Sequence, residues 1–306
     1  ITRVCTPELP YLRSFLRHHG GLGITAFDLI VREPDLEPCL LTLAADEGVA
    51  ARIHLADPHM RVDRLLFIFP IERVTENYCL LLDADEYLHL PDDLALSHLL
   101  DFVDATGRAR LQWVMAPSDF DQEARRRGFL GHTGKQMVRT DRIEFVHTTH
   151  SFKLKGVPPL SLGEFDRLDA RIVHYWGRNF DDALLKCLYF TEFDVTRQTT
   201  VEAVLSATSP DALPMRLKLL AALNLHERDI AVPDYLAGSI DTDLEAELLE
   251  RFLDCGLRQR IADSYRAYRD SIAASPVIAR YPGCSIPRLA EDRKSTRLNS
   301  SHANIS

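Results

Sequence analysis

Basic charge is scarce in this chain: 36 Lys and Arg stand against 45 Asp and Glu, for a formal net charge of −9 over 306 residues. Recognition of a phosphate backbone draws on a clustered Lys/Arg excess, so no nucleic-acid partner is expected. Long apolar runs are missing too. The strongest, Tyr78 to Leu82, has only a strand's length, so no transmembrane segment is expected, and no secretory leader is visible. The six cysteines (Cys5, Cys39, Cys79, Cys187, Cys255 and Cys284) include no CxxC pair, a spacing that excludes a zinc ribbon and fits a reducing, cytoplasmic setting. Cys79, inside an apolar strand pattern, reads as a small buried hydrophobe. What is present is an ordinary globular composition, 46% hydrophobic and 26% charged. It suffices for one large domain or two modest ones with a core that needs no disulfides.

Both ends of the chain call for separate treatment. Ile1 falls in what reads as the middle of a first strand, which predicts that the natural protein begins earlier. Residues 292–306 resemble the in-frame translation of a sequencing-library adapter and are set aside as an artefact. That tail carries Arg293, Lys294 and Arg297 against Asp292, a net +2, so the remainder stands at −11.

The first ninety residues alternate strand and helix patterns. A strand at 1–5 is followed by a helix at 8–19, whose stripe of Leu9, Leu12, Phe15 and Leu16 closes at Gly20-Gly21. Strands at 26–31, 49–55 and 78–82 follow, with helices at 36–47 and 61–74 between them. Such alternation predicts an α/β fold with a parallel sheet and crossover helices, whose ligand sits beyond the carboxyl ends of the strands. Further on, 110–116 reads as a strand, 118–133 as a charged loop, 134–139 with 143–147 as a hairpin or strand pair, and 170–175 as a last strand. From 181 onward the pattern is helical, at 181–194, 211–226, 241–254 and 257–274.

The sharpest signal is Leu80-Leu81-Leu82-Asp83-Ala84-Asp85-Glu86. A buried strand delivers two carboxylates two residues apart, on one face, and a third follows at once. Three such charges repel one another and resist desolvation unless a cation neutralises them. Mg²⁺ or Mn²⁺ does so well, keeping its remaining positions for water and phosphate oxygens. The plainer reading is a solvated acidic turn.

Together with other segments, this motif resembles the GT-A fold glycosyltransferases, and most closely a bacterial family 2-like group with an R-N-E-x-x-Y-L helix and a D-x-D-E metal motif. The matching residues are Glu8, Tyr11, Leu12, His19 and Gly23, then Asp83, Asp85, Glu86 and Tyr87, then Lys135 to Arg139, His150, His174-Tyr175, Phe180 and Lys186. The match runs over about residues 1 to 190. It departs at Cys5-Thr6-Pro7, where the group has a basic residue and Asn, at Val31 to Asp35, where it has an N-x-S-x-D loop, and at Asn179, where it often has Ser.

The resemblance implies a mostly parallel GT-A domain over 1–177 and a helical C-terminal extension over 178–291. It also implies metal-dependent transfer of a sugar from a nucleoside diphosphate to a saccharide or lipid-linked hydroxyl acceptor, by inversion, in surface polysaccharide or glycoconjugate synthesis. Asp83, Asp85 and His150 would be the metal ligands, with His174 an alternative third ligand. Glu8, Asp35, Lys135, His174 and Lys186 would contact the nucleotide sugar. The catalytic base would be Asp121 or Asp119, with Glu123 and Glu86 as alternatives, Glu86 also reading as support to the metal. Arg125-Arg126-Arg127 suggests an acidic acceptor or a peripheral membrane contact, and otherwise a solvated loop. Trp176 could stack on a sugar, whereas Trp113 alternates with apolar neighbours and reads as core. Two other readings stand beside this one. One is a haloacid dehalogenase-type phosphatase, in which the D-x-D motif would lie on the first strand. The other is a non-catalytic module that keeps the fold while its donor loops have drifted.

Overall fold

The computed structural model describes residues 1–58, 60, 62–118, 126–157, 165–166, 168–189, 204–237 and 240–274. Its amino-terminal half is an α/β arrangement of β1 (Thr2–Arg3), α1 (Leu9–Gly21), β2 (Ala26–Val31), α2 (Glu37–Asp46), β3 (Ala50–Leu55), β4 (Tyr78–Leu80) and β5 (Leu82–Asp83). Strands β3, β2, β1 and β5 lie side by side in that order, all parallel. Helix α1 forms because Tyr11, Leu12, Phe15, Leu16 and His19 fall on one face and bury it, and it ends at Gly20-Gly21. The chain then turns at Gly23, whose φ of 94° favours a residue without a Cβ.

A second sheet joins β6 (Glu86–His89), β7 (Arg108–Met115), β8 (Arg127–Arg139), β11 (Arg171–His174) and β12 (Ile230–Ala231) in the order β12-β8-β7-β11-β6, with β4 also on β8. Only β7 and β11 are parallel here; the other pairs run antiparallel. The architecture is therefore mixed rather than mostly parallel. Helix α3 (Leu96–Thr106) leads into β7, and β9 (Ile143–Thr148) pairs with β10 (Ser151–Leu154) in a separate ribbon.

Three sequence expectations change. The helix over 61–74 is a pair of 3-10 turns, Val62–Ile68 and Ile71–Arg73, separated by Pro70, which a continuous helix would not accommodate. The loop over 118–133 is in part β8, since Arg127 onward is strand, and β8 pairs with β7 rather than with β9. Gly128, in the expected loop, and Gly134, at the start of the expected strand, mark close backbone approach. A Cβ on Gly134 would stand 1.9 Å from Leu111 O, and one on Gly128 2.5 Å from Met115 O.

The carboxy-terminal helices are α4 (Phe180–Tyr189), α5 (Met215–Leu223), α6 (Thr242–Glu250) and α7 (Cys255–Ala273). They enclose a core of their own around Leu184, Leu188, Leu217, Leu220 and Ile261. The expected helical residues 190–194 and the tail 292–306 lie outside the described residues. Among the described residues no helix is long and apolar enough to cross a membrane.

Candidate functional site

A cavity of about 320 Å³ opens at the amino ends of β2 and β4, lined by Ala26, Phe27, Tyr78 and Leu80 among others. It lies away from the strand ends where parallel sheets hold ligands. At those carboxyl ends stands a buried group of charged side chains from six segments. Parallel register sets Arg3 beside Asp83, and Arg3 Nε donates to Asp83 Oδ1 at 2.6 Å. Lys135, in the middle of β8, donates to Asp83 Oδ2 at 2.8 Å and to Thr149 O at 2.8 Å, and its Nζ stands 3.1 Å from Glu86 Oε2. Glu86 Oε2 in turn accepts the Asp83 backbone N–H at 2.8 Å.

The second half of the group is built on the start of α4. Arg178, Asp182 and Lys186 recur at intervals of four: Arg178 stands two residues before α4, and Asp182 and Lys186 share one face of the helix. Arg178 donates to Asp182 Oδ1 (3.0 Å), Glu8 Oε2 (2.7 Å) and Ala84 O (3.1 Å), and its guanidinium lies 4.1 Å over the Tyr11 ring. Lys186 donates to Asp85 Oδ2 at 2.8 Å. His174 Nε2 faces Asp85 Oδ1 at 3.6 Å, beyond hydrogen-bond length.

Four cations, Arg3, Lys135, Arg178 and Lys186, thus meet five carboxyls, Glu8, Asp83, Asp85, Glu86 and Asp182. Burial raises the Asp83 carboxyl, but Arg3 and Lys135 outweigh it and hold it well below the usual range. Asp85 is likewise held down against its burial, by Lys186 and His174. Burial pushes Glu86 up to about 8; Lys135 opposes this, while Asp83 and Asp85 reinforce it. With Glu86 protonated, the group is balanced four against four. The neutralising cation that the acidic motif calls for is therefore already supplied by the chain's own Lys and Arg side chains.

Of the residues singled out from the sequence, Glu8, Asp83, Asp85, Glu86, Lys135, His174 and Lys186 belong to this group. His150 stands at its edge: its ring packs 5.0 Å from that of Trp113, and burial with Lys135 nearby lowers its pKa to about 3. Asp35 is exposed on the 3-10 turn Pro34–Leu36 and is not one of the buried group. Arg139 pairs with Asp104 and Asp141 at the surface. Asp119, Asp121, Glu123 and Arg125 lie outside the described residues. Glu86 is wholly buried behind Asp83, where no acceptor hydroxyl can reach it, so its geometry is that of a support and not of a base. Trp176 carries Arg216 over its ring at 4.4 Å, which covers one of the two faces a sugar would use.

Arg3, Arg178 and Asp182 were not anticipated. The four-residue spacing of Arg178, Asp182 and Lys186 was the available signal for two of them, whereas Arg3 needed the strand register.

The residues present fit a hard divalent ion in one place. Both oxygens of Asp83 are taken by cations, but Asp85 Oδ1 and His174 Nε2 form an open oxygen/nitrogen pair. Among the described residues no group of three His, Cys, Asp or Glu could hold a metal, so the protein would supply two ligands and the donor and water the rest. Comparison of the chain with protein-family models and with curated proteins gives no match.

Proposed function

We propose that the protein is a GT-A-type glycosyltransferase that moves a sugar from a nucleoside diphosphate to a hydroxyl acceptor, saccharide or lipid-linked, by inversion, in surface polysaccharide or glycoconjugate synthesis. The observation that carries this reading is convergence. Glu8, Asp83, Asp85, Glu86, Lys135, His174 and Lys186, scattered over some 180 residues and each part of the resemblance, meet in one group at the carboxyl ends of the strands.

In this reading Asp85 and His174 hold Mg²⁺ or Mn²⁺, which supplies positive charge to the departing nucleoside diphosphate. Asp85 is aimed by Lys186, and Lys186 by Asp182 and Glu8. Asp83, pinned between Arg3 and Lys135, fixes the turn that presents Asp85. Lys135 and Lys186 act first as counter-charges to these carboxylates and present their positive potential to the diphosphate from behind. A carboxylate near the acceptor takes the hydroxyl proton; Asp121 and Asp119 are our candidates.

One observation favours the second reading, a non-catalytic module. Glu33 Oε2 accepts from both Thr6 N (2.8 Å) and Thr6 Oγ1 (2.7 Å), so the two departing loops close on each other where the family's nucleotide contacts would lie. Isothermal titration of the full chain with UDP and GDP, with and without Mn²⁺, separates the two. The transferase reading expects Mn²⁺-dependent binding that Asp85→Ala abolishes, and slow donor hydrolysis. Folded protein that binds neither nucleotide at millimolar concentration would overturn it in favour of the module.

A further inference from the structure

Trp113 lies on β7, 9% exposed, with the His174 ring 4.3 Å and the His150 ring 5.0 Å from its own. Its Nε1 is buried and has no hydrogen-bond partner. The same holds for His150 Nδ1 and His174 Nδ1. Buried polar atoms left unpaired cost about 1–3 kcal/mol each, so the three gathered around Trp113 call for a common partner. His150 is itself partly exposed, which leaves the group an open side.

The chemistry of these atoms indicates what the partner is. An indole N–H only donates, and a neutral imidazole nitrogen donates or accepts. An anion would use donors alone, whereas sugar hydroxyls both donate and accept. The two lysines and two arginines of the site are already paired with carboxylates and do not face this group as free charges. We infer that Trp113, with His150 and His174, contacts the sugar of the nucleotide sugar, the indole N–H donating to a ring hydroxyl, and that Trp113 thereby sets which sugars are accepted. This assignment rests on the transferase reading and adds to the core role that the alternation around Trp113 predicts and that its burial in the sheet's apolar core bears out.

The chain has only two tryptophans, so Trp176→Phe leaves Trp113 as sole emitter. In that variant UDP and GDP should leave the emission nearly unchanged. One of UDP-glucose, UDP-galactose, UDP-N-acetylglucosamine or GDP-mannose should quench or shift it. By titration, Trp113→Phe should keep the affinity for the free nucleotide within about twofold and weaken the nucleotide sugar by about tenfold, the worth of one hydrogen bond with its buried partner left unpaired. If Trp113→Phe binds the nucleotide sugar as the wild type does, or if emission ignores a nucleotide sugar that binds, the assignment falls while the transferase reading stands. If the wild type binds no nucleotide at all, both fall.

Discussion

At the scale of single residues, the site is decided by which oxygen faces which nitrogen. The sequence offers Asp83 and Asp85 as equivalent ligands, but both oxygens of Asp83 face cations, whereas Asp85 keeps Oδ1 toward His174. The two aspartates should therefore separate experimentally. Asp85→Ala and His174→Ala should each weaken Mn²⁺-dependent nucleotide binding by at least about tenfold, the lower bound for losing even an indirect metal contact. Asp83→Asn should act mainly on stability, which titration and urea unfolding of the same samples will tell apart. Equal loss of metal dependence in all three variants would show that Asp83 exchanges its cations for the ion. Lys135→Met should cost about 3–5 kcal/mol in urea unfolding, because it leaves Asp83 with Arg3 alone and takes from the wholly buried Glu86 its cationic partner. Lys135→Met combined with Glu86→Leu should recover part of that loss, since the double change also removes the buried polar group that lost its Lys135 contact. No recovery would mean that Glu86 is not coupled to Lys135.

At the scale of elements, α6 is joined to α1 through one acid. Glu245 accepts from the Tyr11 hydroxyl and, at 3.1 Å, from Asn179 Nδ2, and burial pushes its pKa up to about 7, with Asp182 and Asp181 adding to the shift and Tyr11 and Asn179 opposing it. An unfolded Glu titrates near 4.3, so the folded state holds the proton more tightly. This contribution is fully present below about pH 4, declines as the pH rises through 7, and is flat above, with an upper bound of about 4 kcal/mol. Glu245→Gln should remove that slope, seen as wild-type and variant urea midpoints diverging between pH 5 and 7; parallel midpoints would place the titration elsewhere. Much of the element order was legible in the sequence. The strand at 26–31 and the stripe of α1 are set by local periodicity, and the structure keeps them with the expected bounds or within two residues. The pairing of β8 with β7 was not legible, because it depends on glycines at 128 and 134 that allow close backbone approach, a long-range fact that no local pattern carries. For the same reason the acidic motif suggested an external cation: Arg3 reaches Asp83 only through β1–β5 register, and Lys135 from fifty-two residues away.

At the scale of the whole molecule, two cores share one helix. The apolar side of α4 belongs to the carboxy-terminal helical core through Ala183, Leu184, Cys187 and Leu188, while Asp182 and Lys186 on its polar side complete the charged group at the sheet. A chain of this size commonly unfolds in steps. Here, detaching the helices would leave Glu8 and Asp85 buried without Arg178 and Lys186, at a cost comparable to breaking a buried ion pair, about 3–5 kcal/mol. The two parts are therefore expected to melt together. Leu217 is wholly buried in the helical core, so Leu217→Ala should cost about 2–5 kcal/mol. The decisive reading is coincidence: far-UV circular dichroism, dominated by the helices, and Trp113 emission in the Trp176→Phe background, reporting on the sheet, should shift to the same lower urea concentration. If the helical signal moves while Trp113 keeps its wild-type midpoint, the ion group does not couple the two cores, and α4 can leave the site without unfolding the sheet.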